Sequence, residues 1–449
     1  FSAVVGQNGG GAYLVPYLLA ALVFALPLLI LEISVGRALR VDVVSAFRSV
    51  RERFAPLGWI VSGSVVLILS YYLVLTGWVL DFFVRALVGV PLSFDSFAGS
   101  FEPVGAFVVS TLIAGAVVSL GVKAGIERMS KVVVPAIFAV LLGLVAYAVT
   151  LPGFAAGVAF LFTPDFSVLG DPLVWSAAFG QVFFSLSVGQ GIMLTYGSYL
   201  DESADVPRAA LAVTLADVAV ALLAGLVIFP VVFTFGLEPT LGTQLAFSTL
   251  PRAFEEMAFG RVVAIGFFGM LFFAALSSAV SLLEVGVASA GRVTDRSRGT
   301  MTLLVTAVVF LLGLPSALSY SRLHLSLAGL PVLDLMDETV GTLALPVTAV
   351  LIAVVFTWYQ SDETLRRQVG DSVVVPLVKY AIPLVLVGVT GFRLALNVDF
   401  PGWHVLPGAH FVGRLPQVAG ALAALVVLLI AGRLLSDRLA GSLGRRTKR

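Results

Sequence analysis

Long apolar runs separated by short polar connections set the pattern of this chain. Runs of spanning length lie at roughly 11–36, 57–89, 104–122, 131–151, 173–199, 209–236, 262–291, 300–319, 338–359, 373–396 and 416–436. About 20 apolar residues suffice for a helix to cross a hydrocarbon core about 30 Å thick. Several runs are longer, which predicts tilt or extension beyond the bilayer. The expected architecture is all-α: a polytopic helical membrane protein with about 11 spans in the lipid bilayer.

The run 173–199 differs from the others. Ser185-Leu-Ser-Val-Gly-Gln-Gly191 sits near its middle. Unbroken, it would measure about 40 Å at a rise of about 1.5 Å per residue. Two half-helices meeting at the Ser/Gly segment fit better, and such a break is tolerated only where freed backbone groups are buried or line a wet cavity. The first half should end near Phe184 with carbonyls facing the gap, and the second should begin near Gly191 with free N–H groups facing it. The gap would then offer ligands to a cation and donors to a carboxylate.

Composition sharpens this picture. The chain is 59% hydrophobic and only 12% charged, about half the charged fraction usual in soluble domains. Its mean hydropathy is +1.05. Basic residues gather on alternate connections: Arg37, Arg40, Arg48, Arg51 and Arg53; Lys123, Arg128 and Lys131; Arg208; Arg292, Arg296 and Arg298; Arg366 and Arg367; and the tail Arg445, Arg446, Lys448, Arg449. The positive-inside rule places these loops and the C-terminus in the cytoplasm, which predicts a multi-pass protein of the cell (plasma) membrane. With the C-terminus inside, eleven spans put Phe1 outside without a visible signal, so one further span is expected upstream, for 12 in all. The longest outward connections are 152–172 and 237–261. The second, with Leu245 to Pro251 and then Phe254, Met257 and Ala258, reads as short helices capping a cavity. A net charge of +1 argues against a nucleic-acid partner, and the absence of cysteine excludes disulfides and thiolate metal sites.

Ionisable and polar groups inside apolar spans are costly and point to function. Asp217 lies well within its span and could ligate Na⁺; a helix-entry acid paired with Arg208 or a backbone donor is the structural alternative. Glu32 could accept N–H bonds from the unwound backbone or snorkel to the interface. Glu284 reads as an interhelical hydrogen-bonding group, and Asp81 with Arg85 as an i,i+4 pair. Ser277 and Ser278 offer either close small-residue packing or hard oxygen ligands for an alkali ion. Tyr71 and Tyr72 lie mid-span, where a hydroxyl needs a partner: a ligand carboxylate or a neighbouring carbonyl. His324, His404 and His410 lack metal-ligand spacing. No nucleophile–base pair or phosphate loop is evident, and Gly6 to Ala12 is Gly-rich without the Lys-Ser/Thr of a P-loop. The chain therefore does not read as an enzyme.

Several stretches resemble the neurotransmitter:sodium symporters, particularly the bacterial amino-acid branch. They are Gly6-Gln-Asn-Gly-Gly-Gly-Ala-Tyr-Leu-Val-Pro-Tyr17, Ser70-Tyr-Tyr72 with Gly77-Trp78, and Gly125-Ile-Glu-Arg128 with Lys131 and Pro135. Phe162-Thr-Pro-Asp-Phe166, Gly180 to Ser187 and Gly313-Leu-Pro-Ser-Ala-Leu318 extend the likeness almost end to end. The resemblance implies a leucine-transporter-type inverted-repeat bundle with discontinuous helices at a midplane site. Residues 1–449 would form one transporter domain: 1–172 the rest of the first repeat, 173–359 the second, and 360–449 two peripheral helices and the basic tail.

It also implies site roles. Tyr72 would contact the carboxylate of an amino-acid substrate. Ile68, Phe184, Ser185, Ser187, Gln190, Ser278 and Leu282 would complete the pocket, Phe184 doubling as an outer lid. Two Na⁺ sites are implied, Ser185 with Asp217 for the first, and Ala274, Ser277 and Ser278 for the second. Tyr17, Gln181 and Ser185 correspond to groups around the chloride site of animal relatives. Asp217 replaces an amide there and Ala221 a polar group, so chloride should not be required. Asp337 matches an outer-gate acid, whose Arg partner would precede Phe1. Arg292 stands where an inner-gate acid is expected, so the inward seal should differ. The expected function is Na⁺-coupled symport of a small zwitterion, by a monomer or weak homodimer. A non-transporting sensor or inactive remnant of the same fold is the alternative.

Overall fold

The structure is a computed structural model that describes residues 1–237, 245–292, 296–327, 329–369 and 374–395. The expected span 416–436, the basic tail, His404 and His410 lie outside the described residues.

The labelled helices, in chain order, begin with α1 (Ser2–Gln7), α2 (Gly11–Leu39), α3 (Val43–Val50), α4 (Ala55–Val88) and α5 (Glu102–Ser119). Next come α6 (Val122–Ala148), α7 (Phe154–Phe162), α8 (Pro172–Ser185), α9 (Ile192–Gly197) and α10 (Val206–Thr234). The remainder are α11 (Leu250–Glu256), α12 (Gly260–Gly291), α13 (Arg298–Ser319), α14 (Val332–Trp358) and α15 (Val374–Gly391). Among the described residues, nine helices are long and apolar enough to cross a membrane. The interrupted pair α8–α9 falls outside that set, because its pieces are only 14 and 6 residues long. Beside these the two-stranded hairpin Ser326–Leu327 and Leu330–Pro331 is a small departure from an all-helical chain.

α4 and α12 form the centre. They pack along each other, with α5 and α13 against α4 and α6 against α12. Both are apolar on every side, as a helix must be when protein covers one face and lipid the other. Side chains toward neighbours, such as Leu69, Leu73, Phe82, Phe268 and Leu283, are fully buried. Leu112, Val132, Leu303 and Leu311 point outward on the peripheral helices and are more than half exposed, as expected where lipid is the solvent.

Two connections hold more structure than their sequences suggested. The interval 152–172 contains α7, which packs on α10, and the basic loop after α2 contains α3. Asp42 caps α3, its carboxylate accepting the Ser45 N–H at 3.0 Å. The expected capping helices of 237–261 are present from Leu245 onward, with Leu250, Ala253 and Phe254 of α11 buried against α12. Phe247 seats its ring 5.7 Å from that of Trp78 and 5.3 Å from that of Phe82.

Candidate functional site: the interrupted helix and its surroundings

The break in α8–α9 follows from backbone conformation. Ser187, Gly189 and Gly191 have φ of 54°, 85° and 70°, a left-handed region that glycine enters freely and a right-handed helix cannot pass through. The Ser187 N–H donates to the Phe184 carbonyl and the Val188 N–H to the Phe183 carbonyl, both at 3.1 Å. This is a left-handed helix cap. It uses two carbonyls that the sequence reading left free, because a chain turning out of a helix satisfies its own last acceptors first.

On the opposite side of the break the Gly189 N–H donates to Glu32 Oε1 at 2.6 Å, and the N–H groups of Gly191 and Leu194 approach the same carboxyl. Glu32 is fully buried. Of its two expected positions, the structure shows the unwound backbone and not the membrane interface.

Asp217, on α10, accepts the Ser185 hydroxyl at 2.5 Å, and the Tyr17 hydroxyl donates to the same carboxylate. Arg208 pairs instead with Asp205, three residues away. A serine at the last turn of a broken helix, a buried tyrosine and a half-buried carboxylate thus meet at one point, and all their ligand atoms are oxygens. Gln181 is one turn back on α8, and Ala221 one turn on along α10, nearly buried.

A second oxygen cluster lies on α12. Ser277 Oγ donates to the Ala274 carbonyl at 2.8 Å, and Ser278 hydrogen-bonds the Tyr72 hydroxyl of α4. The same helix continues inward through Ser281, which receives the Tyr196 hydroxyl at 2.6 Å, and Glu284, which receives that of Tyr199 at 2.6 Å. Glu284 also accepts Arg298 Nη2 at 2.5 Å. It is the interhelical group expected, and the two tyrosines that tie α9 and the turn after it to α12 had no signal in the linear sequence. Asp81 and Arg85 form the expected pair at 2.5 Å, with Glu102 joining them.

A cavity of about 510 Å³ opens beside these groups. Tyr72, Gln181, Phe184 and Asp337 line it, together with Thr342 and Thr390 from helices where the sequence reading placed no pocket residue beyond Asp337. The Asp337 carboxyl lies against the Tyr71 hydroxyl beside Gly341. Ile68, Gln190 and Leu282 are buried in the packed core, and neither they nor Ser187 and Ser278 border this cavity. Arg292 meets Asp42 at 3.6 Å across the ends of α12 and α3.

Residues 1–102 and 97–398 match the family model described as the Sodium:neurotransmitter symporter family. The chain belongs to that family. Among symporter-family relatives it is 37% identical over 366 residues to YhdH, an uncharacterized sodium-dependent transporter of Bacillus subtilis (strain 168), covering 79% of this chain and 81% of the relative. It is 30% identical over 417 residues to an uncharacterized sodium-dependent transporter of Haemophilus influenzae, covering 86% and 91%. The solved structure of MhsT in complex with L-phenylalanine superposes with a TM-score of 0.80 at 35% identity, over 86% of this chain and 92% of that one. The symporter resemblance carried by the motifs therefore holds, and the fold is the leucine-transporter-type helical bundle.

Proposed function

We propose that this protein moves a small zwitterionic solute, an amino acid, across the cell membrane together with Na⁺, by alternating access. The observation that carries the proposal is the junction at Ser185: a helix broken between α8 and α9, with Asp217 held against the last residue of α8 at 2.5 Å. A carboxylate, hydroxyls and backbone carbonyls suit a hard cation. In this reading Ser185 and Asp217 hold one Na⁺, and Ala274, Ser277 and Ser278 hold a second. The transported ion is thus bound by oxygen alone.

Tyr72 would then offer its hydroxyl to the solute carboxylate, with Phe184 closing over it. Gln181, Thr342 and Thr390, which line the same cavity, would offer the solute further polar contacts. Ile68, Ser187, Gln190 and Leu282 would be packed behind it, and Asp337 with Tyr71 would form part of the outer closure. The likeness to an L-phenylalanine complex supports an amino-acid solute. The fixed charge of Asp217 supports transport without chloride. The basic loops support a cytoplasmic C-terminus. The test is equilibrium binding of labelled neutral amino acids to the purified protein. Saturable binding that requires Na⁺ and persists when gluconate replaces chloride supports the reading; binding indifferent to Na⁺ opposes it.

A further inference from the structure

On the face that carries the basic loops, the ends of α3 and α12 meet around a cavity of about 290 Å³. Each helix brings a Ser-x-x-Arg pair: Ser45-Ala-Phe-Arg48 on α3, and Ser289-Ala-Gly-Arg292 at the end of α12. A spacing of three sets hydroxyl and guanidinium one turn apart on one helix face. All four residues line the cavity, with Asp42 and Val44.

Asp42 supplies the carboxylate there. It accepts the Ser45 N–H at 3.0 Å and the Ser45 hydroxyl at 2.5 Å, while Arg292 reaches it through Nε at 3.6 Å. Among the described residues the Arg292 guanidinium meets no other carboxylate. Arg48 is exposed and forms no ion pair among the described residues. Ser289 is 1% exposed, and among the described residues its hydroxyl has no hydrogen-bond partner. A buried hydroxyl left unpaired is costly, and such groups mark places where a partner is missing.

We propose that this cavity binds a phosphate group through Arg48, Arg292 and the Ser289 hydroxyl. A tetrahedral oxyanion presents enough acceptors for two guanidinium forks and a hydroxyl at once, which a chloride ion does not. Asp42 competes for Arg292. Occupancy would therefore weaken the Asp42–Arg292 tie between α3 and α12, and removing the carboxylate should tighten binding. The phosphate would come from an anionic lipid headgroup or from solution. The proposal does not depend on what the protein transports.

The experiment uses the purified protein in detergent. Thermal-unfolding midpoints are titrated with inorganic phosphate against chloride at constant ionic strength. In parallel, native mass spectrometry scores retention of phosphatidylglycerol, with phosphatidylcholine as the neutral control. The expected result is saturable phosphate stabilisation, selective phosphatidylglycerol retention, or both, with at least a tenfold loss of affinity in Arg48→Gln and a smaller loss in Ser289→Ala. Stabilisation by phosphate alone assigns a soluble source, and retention of lipid alone assigns a headgroup. Asp42→Asn provides a second reading should Arg48→Gln fold poorly, and is expected to bind more tightly. If neither probe distinguishes wild type from Arg48→Gln, or if Asp42→Asn binds no better, the proposal is overturned.

Discussion

Glu32 of α2 and Gly189 of the helix break are joined by a hydrogen bond of 2.6 Å, from backbone N–H to carboxylate, in a fully buried setting. The bond explains how unwound backbone persists inside the protein. The carboxylate takes the place of the carbonyl that a continuous helix would have provided.

Glu32→Ala should therefore strand the Gly189 N–H without an acceptor. An orphaned buried donor costs about 1–3 kcal/mol. The unfolding midpoint in detergent is expected to fall, with loss of Na⁺-dependent solute binding, whereas an unchanged midpoint would show that the break is held by other contacts.

Gly189→Ala tests the same segment sterically. At φ of 85° a Cβ would come 2.5 Å from the Ala349 Cβ of α14. The left-handed conformation alone costs roughly 1–2 kcal/mol in a non-glycine residue, and overpacking adds about 1–3 kcal/mol. A protein that is both destabilised and unable to bind solute is expected; wild-type stability would mean that the segment adopts another path.

Asp217→Asn removes the charge beside Ser185 while keeping its shape. Na⁺ affinity, measured by titrating the ion against bound labelled solute, should fall about tenfold, equivalent to about 1.4 kcal/mol. Unchanged affinity would take Asp217 off the list of ion ligands.

Tyr72→Phe deletes the hydroxyl assigned to the solute carboxylate. A hydrogen bond to a charged group contributes about 1.5–3 kcal/mol, so solute affinity should drop about 10- to 100-fold. Stability is expected to fall by only about 0.5–1.5 kcal/mol, the net worth of the hydrogen bond to Ser278, since the ring keeps its packing. Equal solute affinity in the two proteins would place the carboxylate elsewhere.

Much of this was legible in the sequence for local reasons. Apolar length marked the spans, and the Ser/Gly cluster around Ser187, Gly189 and Gly191 announced the break because glycine lets the backbone leave the helix without steric cost. Asp217 and Glu32 stood out as charges inside apolar runs. What stayed hidden was set by packing between distant segments. Asp42 and Arg292 meet only because the ends of α3 and α12 converge. Tyr199, just past α9, finds Glu284 only because α9 lies on α12. The capping helix Leu250–Glu256 was legible, whereas Val43–Val50 and Phe154–Phe162 were not: runs this short carry too little periodicity to stand apart from connections.

Accumulation of labelled amino acid in sealed vesicles, driven by an inward Na⁺ gradient, tests the central claim most directly. The account predicts uptake above equilibrium that collapses when the gradient is dissipated and is unaffected by replacing chloride with gluconate. Saturable Na⁺-dependent binding with no accumulation at any gradient would contradict transport and favour a sensor built on the same fold.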